Sequence, residues 1–151
     1  MIKLVTYPDP VLLEKSAYVK TSEIDSNIVM FAHEMYKIMK DNDGVGISAV
    51  QVGVLKRIII VGDSDNQFTT LINPTIINSY GEQTVLEGCL SFPGIYVRKT
   101  RPTRVKVEYT DLFGHKQILK SRDKLLSHCI VHECEHLDGI TLEIDKDRWI
   151  T

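Results

Sequence analysis

Two stretches of the chain repeat their apolar residues every three to four positions, and between them the period shortens. From Asp25 to Lys40 the apolar side chains are Ile28, Phe31, Ala32, Met35, Ile38 and Met39. That spacing predicts an amphipathic helix. Asn42-Asp43-Gly44 ends it, with Gly44 the natural left-handed residue. A second helical period runs from about Asp123 to Leu137 and stops at Gly139. Ahead of both, residues 1–20 predict an extended arm that turns at Pro8-Asp9-Pro10.

Between the helices, Leu55–Val61 is a short, almost continuous apolar run, the pattern of a buried strand. Asp63-Ser64-Asp65-Asn66 marks a surface turn, and a further strand is expected around Thr70–Ile72, before Asn73-Pro74. Val105, Val107 and Tyr109 alternate with charged residues, as in a half-buried strand. Asp111-Leu112-Phe113-Gly114 turns that strand back to a partner near Gln117–Leu119. Residues 84–98 show no regular period. Gly44-Val45-Gly46-Ile47-Ser48-Ala49-Val50-Gln51 is built of small and β-branched residues, so helix is not expected there. Its two alternate glycines suggest close approach by a ligand or another backbone. The expected fold class is α+β: several short, mostly antiparallel strands around a central helix, with a second helix N-terminal to it. With 151 residues and no repeat or linker, the expectation is one domain, 1–151.

Composition narrows this picture. The net charge of −2 carries no broad basic excess, so a specific nucleic-acid binder is not expected. Arg98, Lys99, Arg101, Arg104 and Lys106 form a local basic run that reads as a solvated face. No stretch has the length and apolarity of a membrane span, and the N-terminal residues lack a signal-peptide pattern. Cys89, Cys129 and Cys134 are odd in number and do not form a disulfide framework. A cytoplasmic or equivalent reducing compartment is expected, with thiols acting as ligands or core groups.

The candidate chemistry lies in the second helix, at His132-Glu133-Cys134-Glu135-His136. Histidines at i and i+4 share a helix face and can bind one divalent ion, with Glu133 beside it as a candidate general base. A helix that merely carries two surface histidines is the competing reading. A catalytic site of this kind needs a third ligand and an open position. His128 continues the i, i+4 series, but it would lie about 12 Å from His136 along the axis, too far for one ion. It is a neighbour of the site. Cys129 has the same problem, and Cys134, two residues from His132, falls on the core side. Cys89, in Glu87-Gly88-Cys89-Leu90-Ser91, remains. Taken alone it reads as a small buried hydrophobe; taken with the helix pattern it reads as a ligand.

Three separated segments together resemble the signature motifs of the peptide deformylases. These are Gly44–Gln51, Glu87-Gly88-Cys89-Leu90-Ser91, and His132-Glu133-x-x-His136 followed by Leu137-Asp138-Gly139. Pro8-Asp9-Pro10 and Met35-Tyr36-x-x-Met39 add to the likeness, which covers nearly the whole chain. The resemblance implies a metal-dependent amide hydrolase that removes the formyl group from the N-terminal formyl-methionine of nascent polypeptides. It implies that Cys89, His132 and His136 hold one divalent metal ion, usually Fe2+, with Zn2+, Ni2+ or Co2+ able to replace it. Glu133 would be the general acid–base. The Gln51 amide and the Leu90 backbone N–H would stabilise the oxyanion. Substrate-binding positions would be Gly44, Val45, Gly46, Val85, Glu87, Gly88, Leu125, His128 and Cys129, with Val45, Val85, Leu125, His128 and Cys129 around the methionine side chain.

The chain also departs from the family pattern. Ser48 stands where the family most often has Ala, and His128 stands at a commonly aliphatic pocket position. Tyr96 stands where some bacterial members carry a substrate-contacting Arg. The sequence ends twelve residues after Gly139, so the likeness is to short forms without a long C-terminal helix. Ribosome association through that helix is left open. Two other readings compete. One is a non-catalytic metal or peptide-binding relative, which would need neither Glu133 nor Gln51. The other makes Cys89 a covalent nucleophile, which leaves the histidine pair without a role.

Overall fold

A computed structural model describes residues 2–151. The first helix, α1, spans Ser26–Asp41, and Asp25 caps it by accepting hydrogen bonds from the N–H groups of Asn27 and Ile28. The second, α2, spans Lys124–Leu137, with Asp123 accepting from the Leu126 N–H in the same way. Seven strands lie between: β1 (Gly46–Ser48), β2 (Ile58–Gly62), β3 (Phe68–Tyr80), β4 (Gln83–Cys89), β5 (Phe92–Arg101), β6 (Arg104–Thr110) and β7 (Lys116–Lys120). They form an antiparallel five-stranded sheet, ordered β1-β2-β3-β6-β7, and a separate two-stranded sheet, β4-β5. The α+β expectation, with antiparallel strands around the HExxH helix, holds.

The continuous apolar run of β2 has a direct cause. Side chains alternate across a strand, and β2 carries a helix on each face. Ile58 and Ile60 pack with Ile28, Met35 and Met39 of α1. Ile59 and Val61 pack with Leu126, Cys129, Ile130 and Leu137 of α2, joined by Leu71, Val105 and Val107 from the neighbouring strands. Each such aliphatic side chain, fully removed from water, contributes roughly 1.5–3 kcal/mol. The C-terminal end of α2 is fastened to the sheet by Arg57, which donates to the Leu137 carbonyl and pairs with Asp138 at 3.1 Å. The chain leaves α2 through Gly139 at φ +74°, where a Cβ would collide with the Leu13 carbonyl carbon at 2.9 Å.

Five expectations are corrected. The left-handed residue after α1 is Asp43, at φ +57°, not Gly44. Gly44 is needed for space instead, because a Cβ there would lie 2.7 Å from Leu90 Cδ1. Ala49–Val52 forms a short 3-10 turn after β1, so Gln51 is helical. Asn73-Pro74 does not end its strand: β3 continues to Tyr80 across a register shift between Ile72 and Thr75. Asn73, at φ +52°, turns its side chain to hold the backbone of Val19 through two hydrogen bonds of 2.9 and 2.7 Å. This pins the N-terminal arm, which carries 3-10 turns at Pro10–Leu13 and Thr21–Glu23 and is not simply extended. Finally, the stretch 84–98 belongs to a hairpin, β4 paired with β5, with a register shift between Glu87 and Cys89. Its period was hidden because two of its fully buried positions, Glu87 and Arg101, are charged.

Beyond α2, Leu142–Arg148 forms a 3-10 segment, and Ile150 pairs with Tyr96 through reciprocal backbone bonds of 2.8 and 2.7 Å. Trp149 packs edge-on against Tyr7 and Phe92. This cluster braces the β5 side of the cleft described next. No helix among the described residues is long and apolar enough to cross a membrane.

Candidate metal centre and cleft

The inner face of α2 brings His132 and His136 together, with ring centroids 4.9 Å apart. The end of β4 delivers Cys89 to the same point, its Sγ lying 3.2 Å from His136 Nε2. One ligand atom from each of Cys89, His132 and His136 can be chosen so that all three lie within 4.8 Å of one another. A thiolate with two imidazoles is a donor set for a divalent transition metal, and the grouping fits one ion with bonds of about 2.0–2.3 Å. Among the described residues, Glu133 Oε1 and His136 Nδ1 are buried without a hydrogen-bond partner. Native proteins rarely leave such atoms unsatisfied, and the free oxygen of Glu133, a residue that lines the cleft, marks a place for a further group.

Behind the triad sits Glu87, 1% exposed. Each of its oxygens accepts two hydrogen bonds. Oε1 takes Arg101 Nε and His128 Nε2, both at 2.8 Å. Oε2 takes Arg101 Nη2 at 2.8 Å and His132 Nδ1 at 2.7 Å. Burial alone would raise the Glu87 pKa, but the donors from His128, His132 and Arg101 hold it well below the usual carboxylate range. An ionised Glu87 accepts the His132 Nδ1–H and so leaves Nε2 as the free electron pair, the arrangement a metal-ligating histidine requires. Arg101 also reaches Glu135 through bonds of 2.9 and 2.8 Å. Burial and the neighbouring His132 hold the His136 pKa well below its ordinary value, favouring the neutral ring that binds metal.

Glu133, on the cleft side, is in the opposite condition. Burial, with the negative charge of Glu87 adding and His132 opposing, pushes its pKa up to about 7. Its Oε2 packs against β1, where a Cβ on Gly46 would lie 2.8 Å away. The alternate glycines suggested close approach by a ligand or another backbone; what fills the space beside Gly46 is side chains, Cys129 Sγ and Glu133 Oε2. Gln51 is buried with its amide fixed: Oε1 accepts from the Ser48 N–H at 2.9 Å and the Ser48 hydroxyl at 3.1 Å. The amide nitrogen therefore faces the other way, 3.1 Å from Ser91 Oγ and 3.6 Å from Cys89 Sγ. Ser48, a departure from the family pattern, is thus a second anchor for that amide.

An open cleft of about 410 Å3 runs past these groups, lined by Gly44, Val45, Gly46, Gly88, Cys89, Leu90, Tyr96, His128, Cys129, His132 and Glu133 among others. The structure thus brings most of the sequence-derived positions to one place. Val85 and Leu125 are half-buried and are not among the lining residues, and Glu87 and Gln51 stand behind the wall. His128 faces the cleft. Cys129 is buried, with its thiol donating to the Val45 carbonyl at 3.2 Å, and burial pushes the Cys134 pKa up to about 12. Sequence reasoning missed Arg101, placing it in a solvated basic run. It is 5% exposed and carries both carboxylates. The signal that could have found it is Glu87 itself, since a buried carboxylate demands a charged donor. Ser91, Pro93 and Gly94 were missed too; they belong to the hairpin whose pattern was unreadable.

Fold and site together define a metal-dependent hydrolase of α+β architecture, with a Cys-His-His donor set and an adjacent carboxylate. The family model described as polypeptide deformylase matches residues 1–147, and the chain belongs to that family. It is 43% identical over 141 residues to a peptide deformylase of Finegoldia magna, covering 91% of this chain and 84% of that one. It is 42% identical over 138 residues to one of Caldanaerobacter subterraneus subsp. tengcongensis, with the same coverages. The solved peptide deformylase of Thermotoga maritima superposes with a TM-score of 0.88 at 31% identity, covering 98% of this chain and 97% of that one. The activity is that of the family, removal of the N-terminal formyl group from nascent polypeptides.

Proposed function

We propose that Cys89, His132 and His136 hold one divalent ion, Fe2+ by resemblance to the family and Zn2+, Ni2+ or Co2+ as substitutes, and that the whole chain acts as one catalytic domain on formyl-methionyl peptides. When bound, the ion supplies a Lewis acid that acidifies a water and polarises the formyl oxygen. Glu133 takes the water's proton at its unpartnered Oε1 and delivers it to the leaving amine nitrogen. A buried carboxylate that burial raises above its ordinary range can both take and return a proton. The Gln51 amide nitrogen, oriented by Ser48, and the Leu90 backbone N–H donate to the oxygen on which charge develops. The peptide lies in the cleft between Gly44-Val45-Gly46 and Gly88, backbone against backbone, and its first side chain points to Val45, His128 and Cys129. Glu87 orients His132. A reducing, cytoplasm-like compartment keeps the Cys89 thiol available.

The observation that carries this reading is the cluster of three ligand atoms beside a buried Glu133 with a free oxygen. Elemental analysis joined to a formate-release assay tests it. About one ion per chain is expected in the wild type, with occupancy and activity lost together in Cys89→Ala and His136→Ala. Full occupancy in both variants removes the assignment, and formate release without any ion removes the chemistry.

A further inference from the structure

His128 donates its Nε2–H to Glu87, an ionised carboxylate that can only accept. In the neutral ring the other nitrogen, Nδ1, is then a hydrogen-bond acceptor. Among the described residues it has no hydrogen-bond partner, and it is not among the atoms sealed from solvent. The side chain lines the cleft with 19% of its surface exposed. Its neighbours on that wall offer nothing similar. Val45 presents methyl groups, and the Cys129 thiol is committed to the Val45 carbonyl. Val85 and Leu125, the aliphatic positions expected beside it, are not among the cleft-lining residues.

We propose that His128 is a specificity-determining residue: its Nδ1 gives the side-chain pocket a fixed acceptor that admits formyl peptides whose first side chain ends in an N–H or O–H donor. The inference rests on the reading that this cleft receives the first side chain. Glutamine is close in length and shape to methionine but carries an amide. Against a wholly apolar wall that amide is buried without partners and the substrate is rejected. Against His128 its NH2 group donates to Nδ1. The ring cannot rotate away without breaking its bond to Glu87. The pocket therefore takes a thioether, which needs no partner, and offers an amide a partner for one of its N–H donors.

The test compares kcat/KM for two formyl peptides, one beginning with glutamine and one with norleucine, on the metal-loaded enzyme at pH 8. His128→Ile is expected to lower the glutamine-to-norleucine ratio by about ten-fold or more, the effect of leaving one amide donor unpaired. His128→Gln, which restores a polar end, is expected to recover most of the ratio. Metal content is measured in each protein, because loss of metal would scale both substrates alike and leave the ratio unmoved. Equal ratios, within about two-fold, in the wild type and His128→Ile overturn the proposal. If His128→Ile does not fold, His128→Leu is read by the same criterion, and a wild type that releases no formate from the glutamine peptide overturns the proposal as well. Failure of the wild type on formyl-methionine and formyl-norleucine peptides strikes instead at the reading of the cleft.

Discussion

Two buried carboxylates flank the Cys-His-His triad, and they are equipped in opposite ways. Glu87, behind the triad, has four hydrogen-bond donors on two oxygens. Glu133, on the cleft side, has an oxygen with none. Both are cut off from water, so the difference is one of partners. Donors aimed at Glu87 stabilise its charge and hold its pKa far down, whereas burial with too little compensation lifts Glu133 to about 7. A fully satisfied group holds position and does not exchange protons near neutral pH. A half-satisfied one is poised to accept and return a proton. The same residue type thus serves as a fixed support on one side of the metal site and as the proposed reactive group on the other.

The sharpest way to break the contrast is at Glu133. Glu133→Ala should fold and keep most of its metal while formate release falls by ~10²–10⁴-fold, the usual contribution of a general acid–base group. A variant within two-fold of wild type would reduce Glu133 to a packing residue. Glu87→Gln tests the other side. It should retain more formate release per bound ion than Glu133→Ala, yet bind metal ~10–100-fold more weakly, because a neutral amide with one acceptor oxygen replaces the carboxylate that orients His132. Titration with a competing chelator measures this, and unchanged metal affinity would contradict the supporting role.

Arg101→Ala sharpens the comparison through stability. It leaves Glu87 and Glu135 without their shared cation inside the protein, and breaking a buried pair in this way costs ~3–5 kcal/mol. Chemical denaturation should register most of that loss, while the same substitution at Arg98, which is exposed, should change little. The smallest effect concerns acid. Glu87 has a folded pKa depressed below its ordinary 4.5, so its contribution is present above that value and is lost as pH falls below it. Wild-type melting temperature should therefore drop from pH 5 to pH 3, and Glu87→Gln should drop by less. Equal drops would mean that other carboxylates, such as Asp145 with its Lys99 and Arg148 partners, dominate acid unfolding.

Much of the molecule was readable without coordinates wherever a local rule decided the outcome. The two helices follow from their period, and the structure shows Asp25 and Asp123, where those periods start, capping them. β2 follows from its apolar run, which reflects a helix on each face. The hairpin of β4 and β5 was unreadable for an equally physical reason. A period is detected by contrast between apolar and polar residues, and a hairpin with Glu87 buried on one strand and Arg101 on the other loses that contrast. The part of the chain that carries most of the site's polar support therefore looked the least ordered. Gly44 shows a smaller version of the same problem. Glycine after a helix usually marks a left-handed turn, but here Asp43 takes that conformation and Gly44 makes room for Leu90.

The sequence by itself determined that His132 and His136 share a face and that Glu133 lies beside them, because 3.6 residues per turn is a property of the backbone alone. The motif spacing determined the family in the same local way. Only the tertiary structure decided that Cys89, 47 positions before His136, comes within 3.2 Å of it. It also decided that Arg101 turns inward to Glu87. Those placements depend on the pairing register of β4 with β5 and on how that hairpin packs against α2. No local preference encodes either one. Both are set by which buried charges and donors can satisfy one another once water has been excluded.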